Sequence, residues 1–171
     1  DGQEWKGNWA LSTVYKPNDV VKYGGYLYIA NTGHTSATTT SDGLELDQSK
    51  WDLFCEGFDW LGDWGVTTRY KVNDIVRYGG VMYLCTEAHT SGASVGDGLE
   101  LDQSKWDLFA NGLTWLNAWI ATTRYKKGDV VRYGGQVYVC NTGHTAGADN
   151  TAGLEADQAK WDYLHKGIEY L

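Results

Sequence analysis

The feature that most constrains the fold of this chain is an internal repeat of 55 residues, which runs through its 171 residues without insertion or deletion. Trp5, Trp60 and Trp115 mark one position of the repeat, and other positions keep a tyrosine, an aspartate and a histidine in the same register. Self-similarity at a fixed period is typical of architectures in which each repeat is one supersecondary unit. We therefore expect three modules, at residues 2–56, 57–111 and 112–166, followed at 167–171 by the start of a fourth repeat or a capping stub.

The size of the repeat predicts that the modules depend on one another. A unit of about 55 residues buries only about 60% of its chain surface and is marginally stable alone. No Pro- or Gly-rich linker separates the copies, since the first joint reads FCEGFDWLGDW. We expect a closely packed array in which neighbouring copies share a core, as in other repeat proteins.

Within each copy the clearest predicted element is a β-hairpin, and the predicted fold class is all-β, with small antiparallel modules. The sequence DVVKYGGYLYIA places two β-rich runs around Gly24-Gly25, a pair typical of two-residue hairpin turns. This loop sets Val21 opposite Tyr28 and puts both on one face with Tyr23, which we take as the module core. The aromatic core residues predicted across the three copies are Trp9, Tyr23, Tyr28, Trp64, Tyr78, Tyr83, Trp119, Tyr133 and Tyr138.

The opposite face of the hairpin carries Val20, Lys22, Leu27 and Ile29, and its copies stay aliphatic with one basic residue. A sheet that is apolar on both faces is usually covered on both. We expect this second face to pack against an adjacent module or subunit, which would make a rigid rod. The aromatic residues that we expect to hold the copies together at the joints are Trp5, Trp60 and Trp115.

The rest of each copy gives two further predictions. The segment LELDQSKWDLF is expected to form one helical turn that leads into a final strand or a docked Trp. Cys85 and Cys140 replace Ala30 at one repeat position, and a position that accepts either residue type indicates a small buried site.

Composition narrows the classes of partner. The chain has nine Trp and twelve Tyr against three Phe, and these two residue types combine an apolar ring with a polar group, which suits ligand-facing positions. The formal charge of −8 argues against nucleic acid and anionic membranes, because both attract basic surfaces. No apolar run approaches the roughly 20 residues of a membrane-spanning helix. We expect neither nucleic acid binding nor membrane insertion.

One histidine per copy, in NTGHTS, TEAHTS and NTGHTA, raises the question of a catalytic or metal site. No Ser/His/Asp order or close His pair accompanies it. Two interpretations stay open: convergence of the three rings on a metal, and an ordering role in the loop through bonds to the backbone. The second is favoured. The histidines concerned are His34, His89 and His144.

The carboxylates of DGLELD give a further candidate cluster, with Asp42, Glu45 and Asp47 in the first copy. Oxygen-rich clusters can hold calcium, but the spacing is not that of an EF-hand. We favour a local role, in which Asp47 caps the helical turn and pairs with Lys50. A paired-carboxylate glycosidase needs a cleft in a larger scaffold. We expect no cofactor, no metal site and no enzymatic activity.

The combined pattern D-x-V-x-Y-G-G-x-x-Y followed by H-T and a closing Trp resembles the small carbohydrate-binding modules of families 5 and 12, the chitin-binding type. The tandem layout is similar to modules in bacteriophage virion proteins such as tail fibres. Family 5 modules often carry a Trp-Trp platform just after the second hairpin strand, where this chain reads NTG, TEA and NTG. The residues that carry the resemblance in the first copy are Trp9, Tyr15, Asp19, Val21, Tyr23, Tyr28, His34, Thr35 and Trp51.

The resemblance implies a compact β module that displays aromatic rings to a polysaccharide. The closing Trp of family 12 takes part in chitin binding, and three residues of this chain match its position. The candidate carbohydrate-binding residues are therefore Trp51, Trp106 and Trp161, with His34, His89 and His144 in the neighbouring loops.

The function predicted from the sequence is a non-catalytic carbohydrate-binding or adhesion segment, in the virion of a phage or outside the cell. Its expected partners are a polysaccharide or cell-surface glycan and neighbouring repeats or virion subunits, and a homo-oligomer is compatible with the pattern. Two alternatives stay open: a purely structural fibre subunit, and an accessory region of a secreted chitinase or other glycosidase.

Overall fold

The computed structural model describes residues 2–39, 43–94, 96, 98–148 and 152–166, so the predicted stub at 167–171 lies outside the described residues. Within the described residues, six β-strands and one short 3-10 helix recur in the same order three times, which gives eighteen strands and three helices. The predicted all-β class, arranged as three tandem modules, is confirmed. None of the helices in this part of the chain is long and apolar enough to cross a membrane.

The elements of the three repeats correspond one to one. The first contains β1 (Glu4–Asn8), β2 (Val14–Tyr15), β3 (Asp19–Tyr23), β4 (Tyr26–Ala30), β5 (His34–Thr35), a 3-10 helix (Leu44–Lys50) and β6 (Trp51–Cys55). The second contains β7 (Asp59–Asp63), β8 (Arg69–Tyr70), β9 (Asp74–Tyr78), β10 (Val81–Cys85), β11 (His89–Thr90), a 3-10 helix (Leu99–Lys105) and β12 (Trp106–Ala110). The third contains β13 (Thr114–Ala118), β14 (Arg124–Tyr125), β15 (Asp129–Tyr133), β16 (Gln136–Cys140), β17 (His144–Thr145), a 3-10 helix (Leu154–Lys160) and β18 (Trp161–Lys166).

Each repeat forms one four-stranded sheet and one two-stranded sheet. In the first repeat the larger sheet has the order β1-β3-β4-β6, and β2 pairs with β5 in the smaller one. The β3–β4 and β4–β6 pairs are antiparallel, whereas β1 runs parallel to β3, with Trp5 in register with Val20. The larger sheet is therefore mixed. Between β1 and β3 the chain leaves this sheet to form β2, where Tyr15 is buried, and then returns to pair β3 with β1 in parallel.

The hairpin has the register that the sequence predicted, with Val21 opposite Tyr28 and Tyr23 opposite Tyr26. One face of the sheet packs on a core cluster that includes Val21, Tyr23 and Trp51, and Tyr28 lies partly buried against it. Equivalent clusters form in the second and third repeats. Side chains along each hairpin strand point alternately to the two faces of the sheet, and this alternation decides which of them enter each module's core.

The predicted helical turn is a 3-10 helix in each repeat. Leu44 is buried at its start, and Trp51 resumes an extended backbone at its end. Asp47 does not cap this helix: its backbone is non-helical, and its carboxylate accepts a hydrogen bond from the Ala37 N–H at 3.1 Å. The aspartate ties the helix to the preceding loop, which corrects the capping role expected from the sequence.

The buried cysteines behave as small core residues. Cys85 and Cys140 are fully buried, in the place that Ala30 occupies in the first repeat. Burial raises the pKa of both thiols to about 12, so both stay protonated at neutral pH. The third cysteine, Cys55, is free and exposed.

Successive modules meet at the hairpin turn of one module and the loop before the hairpin of the next. The N–H of Gly25 donates to the carbonyl of Val72 at 3.1 Å, and Lys22 pairs with Asp59 at 2.8 Å. The second junction repeats this contact through the Gly80 N–H and the Lys127 carbonyl, at 3.0 Å. The turn makes this contact together with Lys22, which lies on the second sheet face. Packing of modules through the rest of that face stays a prediction.

Candidate functional site

The structure places the three closing tryptophans in the module cores. Trp51, Trp106 and Trp161 are each only 5% exposed. The Trp51 ring packs edge to face on Tyr15 and on His34, with centroids 5.0 Å away in both cases. Stacking of a sugar needs an open ring face, and the folded module offers none on these residues. Their position assigns them to packing, and their part in sugar binding stays a prediction.

The histidines of the loops hydrogen-bond to the backbone. Nδ1 of His34 lies 2.9 Å from the carbonyl of Thr32, and Nδ1 of His89 lies 2.7 Å from the carbonyl of Glu87. A carbonyl only accepts, so Nδ1 carries the proton in the tautomer that fits these contacts. His144 repeats the contact at 2.9 Å. The three rings lie in separate modules and each closes its own loop, which is the local role that the sequence favoured.

The aromatic core predicted from the sequence lies in or against these clusters. Tyr23, Tyr78 and Trp119 are buried. Trp9, Trp64, Tyr28, Tyr83, Tyr133 and Tyr138 are partly buried against the same clusters.

Three other tryptophans stand on the surface. Trp5, Trp60 and Trp115 are 58%, 55% and 53% exposed. They were expected to hold the copies together, and this expectation is wrong, because more than half of each side chain is exposed. Each lies on the first strand of its repeat, which is an edge strand of the sheet. In register with Val20, the Trp5 side chain lies on the face of the sheet opposite the core. The repeat showed that the position is aromatic in every copy, but its exposure depends on a strand pairing that local sequence does not reveal.

The sheet face around each exposed indole combines apolar and charged side chains. In the second repeat, Ile75, Met82 and Leu84 share this face with Trp60, by strand register; Ile75 is buried, and Met82 and Leu84 are partly exposed. Arg77 lies on the same face and forms a bidentate salt bridge with Asp63. Its Nε donates to Oδ1 at 2.6 Å, and its Nη2 donates to Oδ2 at 3.1 Å. This hydrogen-bonded arginine lowers the pKa of the Asp63 carboxyl, so the pair stays charged at neutral pH.

The same face recurs in the other two repeats with different polar neighbours. Lys22 takes the place of the arginine in the first repeat, and Arg132 in the third. In the third repeat the Trp115 indole N–H donates to the Asn117 side-chain oxygen at 3.0 Å, which fixes the orientation of the ring. We call the surface around Trp5, Trp60 and Trp115 the outer face.

Clefts at the two module junctions are a second candidate surface. One cleft at the second junction, of about 230 Å³, is lined by Tyr78, Tyr83 and Gln103 of the second module and by Lys127 and Asn141 of the third. A homologous cleft of about 100 Å³ lies at the first junction. Both expose tyrosine rings beside a glutamine and a glutamate.

The glutamate of each junction cleft is engaged by its neighbours. Glu100 accepts a hydrogen bond from the Tyr78 hydroxyl at 2.8 Å and pairs with Arg124 at 3.1 Å. Burial, then the bond to Glu100, raises the pKa of Tyr78 to about 12, so its hydroxyl remains a donor. In the first junction Tyr23, Glu45 and Arg69 form the same triad.

Among the described residues, no group of three or more His, Cys, Asp or Glu side chains could hold a metal ion. Asp42 and its counterpart Asp97, which belong to the acidic cluster considered in the sequence, lie outside the described residues.

The fold and its surfaces define a small β module with an aromatic core on one sheet face and an exposed indole on the other. The family model for carbohydrate-binding module family 5/12 matches residues 8–43, 63–95 and 118–162, once in each repeat and over more than half of the chain. The chain therefore belongs to carbohydrate-binding module family 5/12. A comparison with curated proteins gave no match.

Proposed function

We propose that the chain is a non-catalytic array that binds a polysaccharide through the outer face of its three modules. The observation that carries this proposal is the exposed indole at one position of every repeat, on the strand that begins just before each segment matched by the family model. Trp5, Trp60 and Trp115 each place an open ring beside polar groups on a sheet face. Amphipathic rings of this kind provide both an apolar face for a sugar ring and a polar edge.

Binding strength would come from repetition. Each indole offers one weak site, because a single exposed ring makes limited contact with a sugar. Three sites linked in one rigid chain turn the second and third binding events into intramolecular ones, which raises avidity by roughly 10²–10⁴. A polysaccharide with repeating sugar units can contact several of these sites at once, so it is the ligand whose binding this arrangement strengthens most.

Two features favour binding without catalysis. A glycosidase needs two carboxyl groups about 5 to 10 Å apart across the scissile bond, one of them protonated. The glutamates of the junction clefts, Glu45 and Glu100, are each held by a tyrosine hydroxyl and an arginine. These carboxylates are thus engaged in the contacts that join the modules, which favours a structural role for them over a catalytic one.

The location of the array is part of the proposal. We place it outside the cell or in a phage virion appendage, on the strength of the tandem layout in the sequence. Antibody labelling of purified virions and of the culture medium tests this. Label confined to the cytoplasm would overturn the location and leave the sugar-binding proposal standing.

The binding test is retention of the chain on insoluble chitin, cellulose and host cell wall, followed by a glycan array. We expect the triple variant Trp5→Ala, Trp60→Ala, Trp115→Ala to bind on the order of 100-fold more weakly than the wild type, since multivalency is lost. Leu46→Ala with Leu101→Ala is the matched control. These leucines are 64% and 62% exposed on the 3-10 helices, and the third repeat already has Ala156 there.

A second arm separates the two sets of tryptophans. The variant Trp51→Phe, Trp106→Phe, Trp161→Phe keeps a ring in each core, and we expect it to bind sugar as the wild type does. Loss of binding in this variant, with an unchanged circular dichroism spectrum, would move the site to the closing tryptophans. Absence of binding by the wild type to every glycan would overturn the proposed function.

A further inference from the structure

The cleft of about 230 Å³ at the second junction is built by two modules, and the proposed function does not use it. The second module contributes Tyr83, Leu99, Glu100 and Gln103, and the third contributes its loop at residues 141–143. The cleft exists only where these two modules are joined. It is separate from the outer face, which each module forms on its own sheet.

The carboxylate of Glu100 is held in the cleft by donors on one of its two oxygens. Oε2 accepts a hydrogen bond from the Tyr78 hydroxyl at 2.8 Å and pairs with Nη2 of Arg124 at 3.1 Å. Oε1 lies so close to Gly143 that a Cβ on this glycine would overlap it. The contacts that the described residues make with Glu100 thus leave Oε1 as an oriented acceptor in the lining of the cleft.

Tyr83 provides the aromatic surface of the cleft. Its ring is partly exposed and packs against the core cluster that contains the buried Leu99. Burial, then the charge of Glu100, raises the pKa of the Tyr83 hydroxyl, so this group remains a donor at neutral pH. Gln103, exposed on the 3-10 helix, adds an amide that both donates and accepts. An aromatic ring bordered by such groups suits a ligand with an apolar face and hydroxyls at its edge.

The volume of the cleft limits what it can hold. About 230 Å³ is below the roughly 300–1,000 Å³ of pockets that enclose a drug-sized ligand. The cleft therefore suits a single sugar ring. A ring that enters by itself belongs to the end of a chain or to a side branch, because an internal unit continues on both sides.

The first junction provides a comparison within the same chain. Its homologous cleft has only about 100 Å³, and Tyr26 lines it with its ring centroid 6.0 Å from that of Tyr28. The second module has the smaller Val81 at the position of Tyr26. Oε1 of Glu45, which matches that of Glu100, is buried and has no hydrogen-bond partner among the described residues. The two junctions share the Tyr-Glu-Arg triad, but the second has more space beside it.

We propose that the cleft at the second junction binds the terminal ring of a neutral glycan, with one face of the ring on Tyr83 and a hydroxyl donating to Oε1 of Glu100. Gln103 contacts a further hydroxyl. The ring is neutral, because an acidic sugar would place a second negative charge beside Glu100. This proposal takes its ligand class from the proposed function but requires no contact with the outer face.

The test is an NMR titration of the ¹⁵N-labelled variant Trp5→Ala, Trp60→Ala, Trp115→Ala, which lacks the indoles of the outer face. The probes are the methyl glycosides of glucose, N-acetylglucosamine and galactose, each added to about 50 mM, because a site for one ring is expected to bind in the millimolar range. We expect at least one probe to shift the amide resonances of Asn141 and Gly143 with saturation. The matching resonances of Thr86 and Ala88 at the first junction should move little.

Gly143→Ala should weaken this binding by roughly tenfold or more, as expected when a hydrogen bond to a charged group is lost. The added methyl displaces Oε1 of Glu100, the tip of a flexible side chain, and the second module already has Ala88 at this position. Gly33→Ala is the matched control. A Cβ there meets its nearest neighbour, the Pro17 Cδ, at an ordinary 3.6 Å, so we expect binding to stay unchanged.

A second pair of variants changes only exposed side chains. Gln103→Ala should weaken binding several-fold, whereas Gln48→Ala, its counterpart at the smaller cleft, should have no effect. The proposal is wrong if no probe shifts Gly143, if both junctions respond equally, or if Gly143→Ala binds as well as its parent. Retention of the wild type on polysaccharide together with a silent Gly143 would remove this inference and leave the proposed function standing. A saturable shift of Gly143 without retention on any polysaccharide would do the reverse.

Discussion

Three hairpin turns with the same sequence, Tyr-Gly-Gly, have different surroundings and different backbones. In the two internal turns the first glycine has a positive φ and the second does not, whereas Gly134 and Gly135 of the third turn are both positive, at 57° and 76°. Gly80 is buried by the next module, and Gly135 is exposed. Local sequence therefore specifies that a turn forms, and the neighbouring module selects which turn it is, because the second N–H must point at the loop carbonyl of that module.

The largest predicted effect separates an enclosed turn from the open one. Gly79 and Gly134 have similar φ angles, 65° and 57°, and asparagine tolerates both. A Cβ on Gly79 would lie 2.5 Å from the Lys127 carbonyl oxygen, and none lies near Gly134. We expect Gly79→Asn to lower the free energy of unfolding by about 3 kcal/mol, the upper end for overpacking, and Gly134→Asn to leave it nearly unchanged. Urea denaturation measures both, and equal costs would mean that packing does not distinguish the turns.

The second prediction concerns the loop that receives the first turn. Asp74 is buried there and accepts a hydrogen bond from the Lys71 N–H at 2.7 Å. Burial raises the pKa of its carboxyl to about 6 in spite of this bond. The folded protein then binds the proton more tightly than the unfolded chain does. Its free energy of unfolding should therefore fall by about 2 kcal/mol as the pH rises from about 4 to about 6.

Asp74→Asn isolates this contribution, since asparagine keeps an oxygen that accepts from Lys71 and has no carboxyl to titrate. Thermal unfolding followed between pH 4 and pH 7 should show a flatter profile for this variant than for the wild type. Identical profiles would show that Asp74 does not titrate in this range.

A smaller effect is expected for the arginine that spans the second junction. Arg124 pairs with Glu100 at 3.1 Å, and both groups are partly exposed. Arg124→Ala should cost about 1 kcal/mol, because Tyr78 still bonds to Glu100 and solvent screens the lost pair. The third module provides the reference, since Glu155→Gln changes a glutamate that is bonded to Tyr133 and to no described arginine. A larger cost for Glu155→Gln than for Arg124→Ala would contradict the junction role.

The smallest predicted effect is that of the lysine over a tyrosine ring. Lys126→Gln removes the cation 4.7 Å from the Tyr78 ring centroid and should cost about 0.5 kcal/mol. Lys16→Gln is the matched change at the same repeat position in the first module. Among the described residues, Lys16 lies over no tyrosine ring, so we expect Lys16→Gln to leave the melting temperature unchanged.

Much of the module could be predicted from sequence because its signals are local. The alternation in DVVKYGGYLYIA places Val21 and Tyr28 together in the core, and the same rule buries Cys85. The exposure of Trp5 could not be predicted in this way, because it follows from the parallel pairing of β1 with β3, which are separated by a whole loop. The closing Trp51 was assigned to a sugar site by resemblance, and its burial depends on packing against Tyr15 and His34.

The use of a turn as the joint has a consequence for the geometry of recognition. The first-to-second and second-to-third steps share the hydrogen bond of the turn, the lysine over a tyrosine ring and the Tyr-Glu-Arg triad, so we expect both to apply a similar rotation and translation. Repeated application of one rotation and one translation generates a screw. A polymer that touches all three indoles must therefore match the pitch of that screw, and the array would select ligands by the spacing of their units as well as by their chemistry.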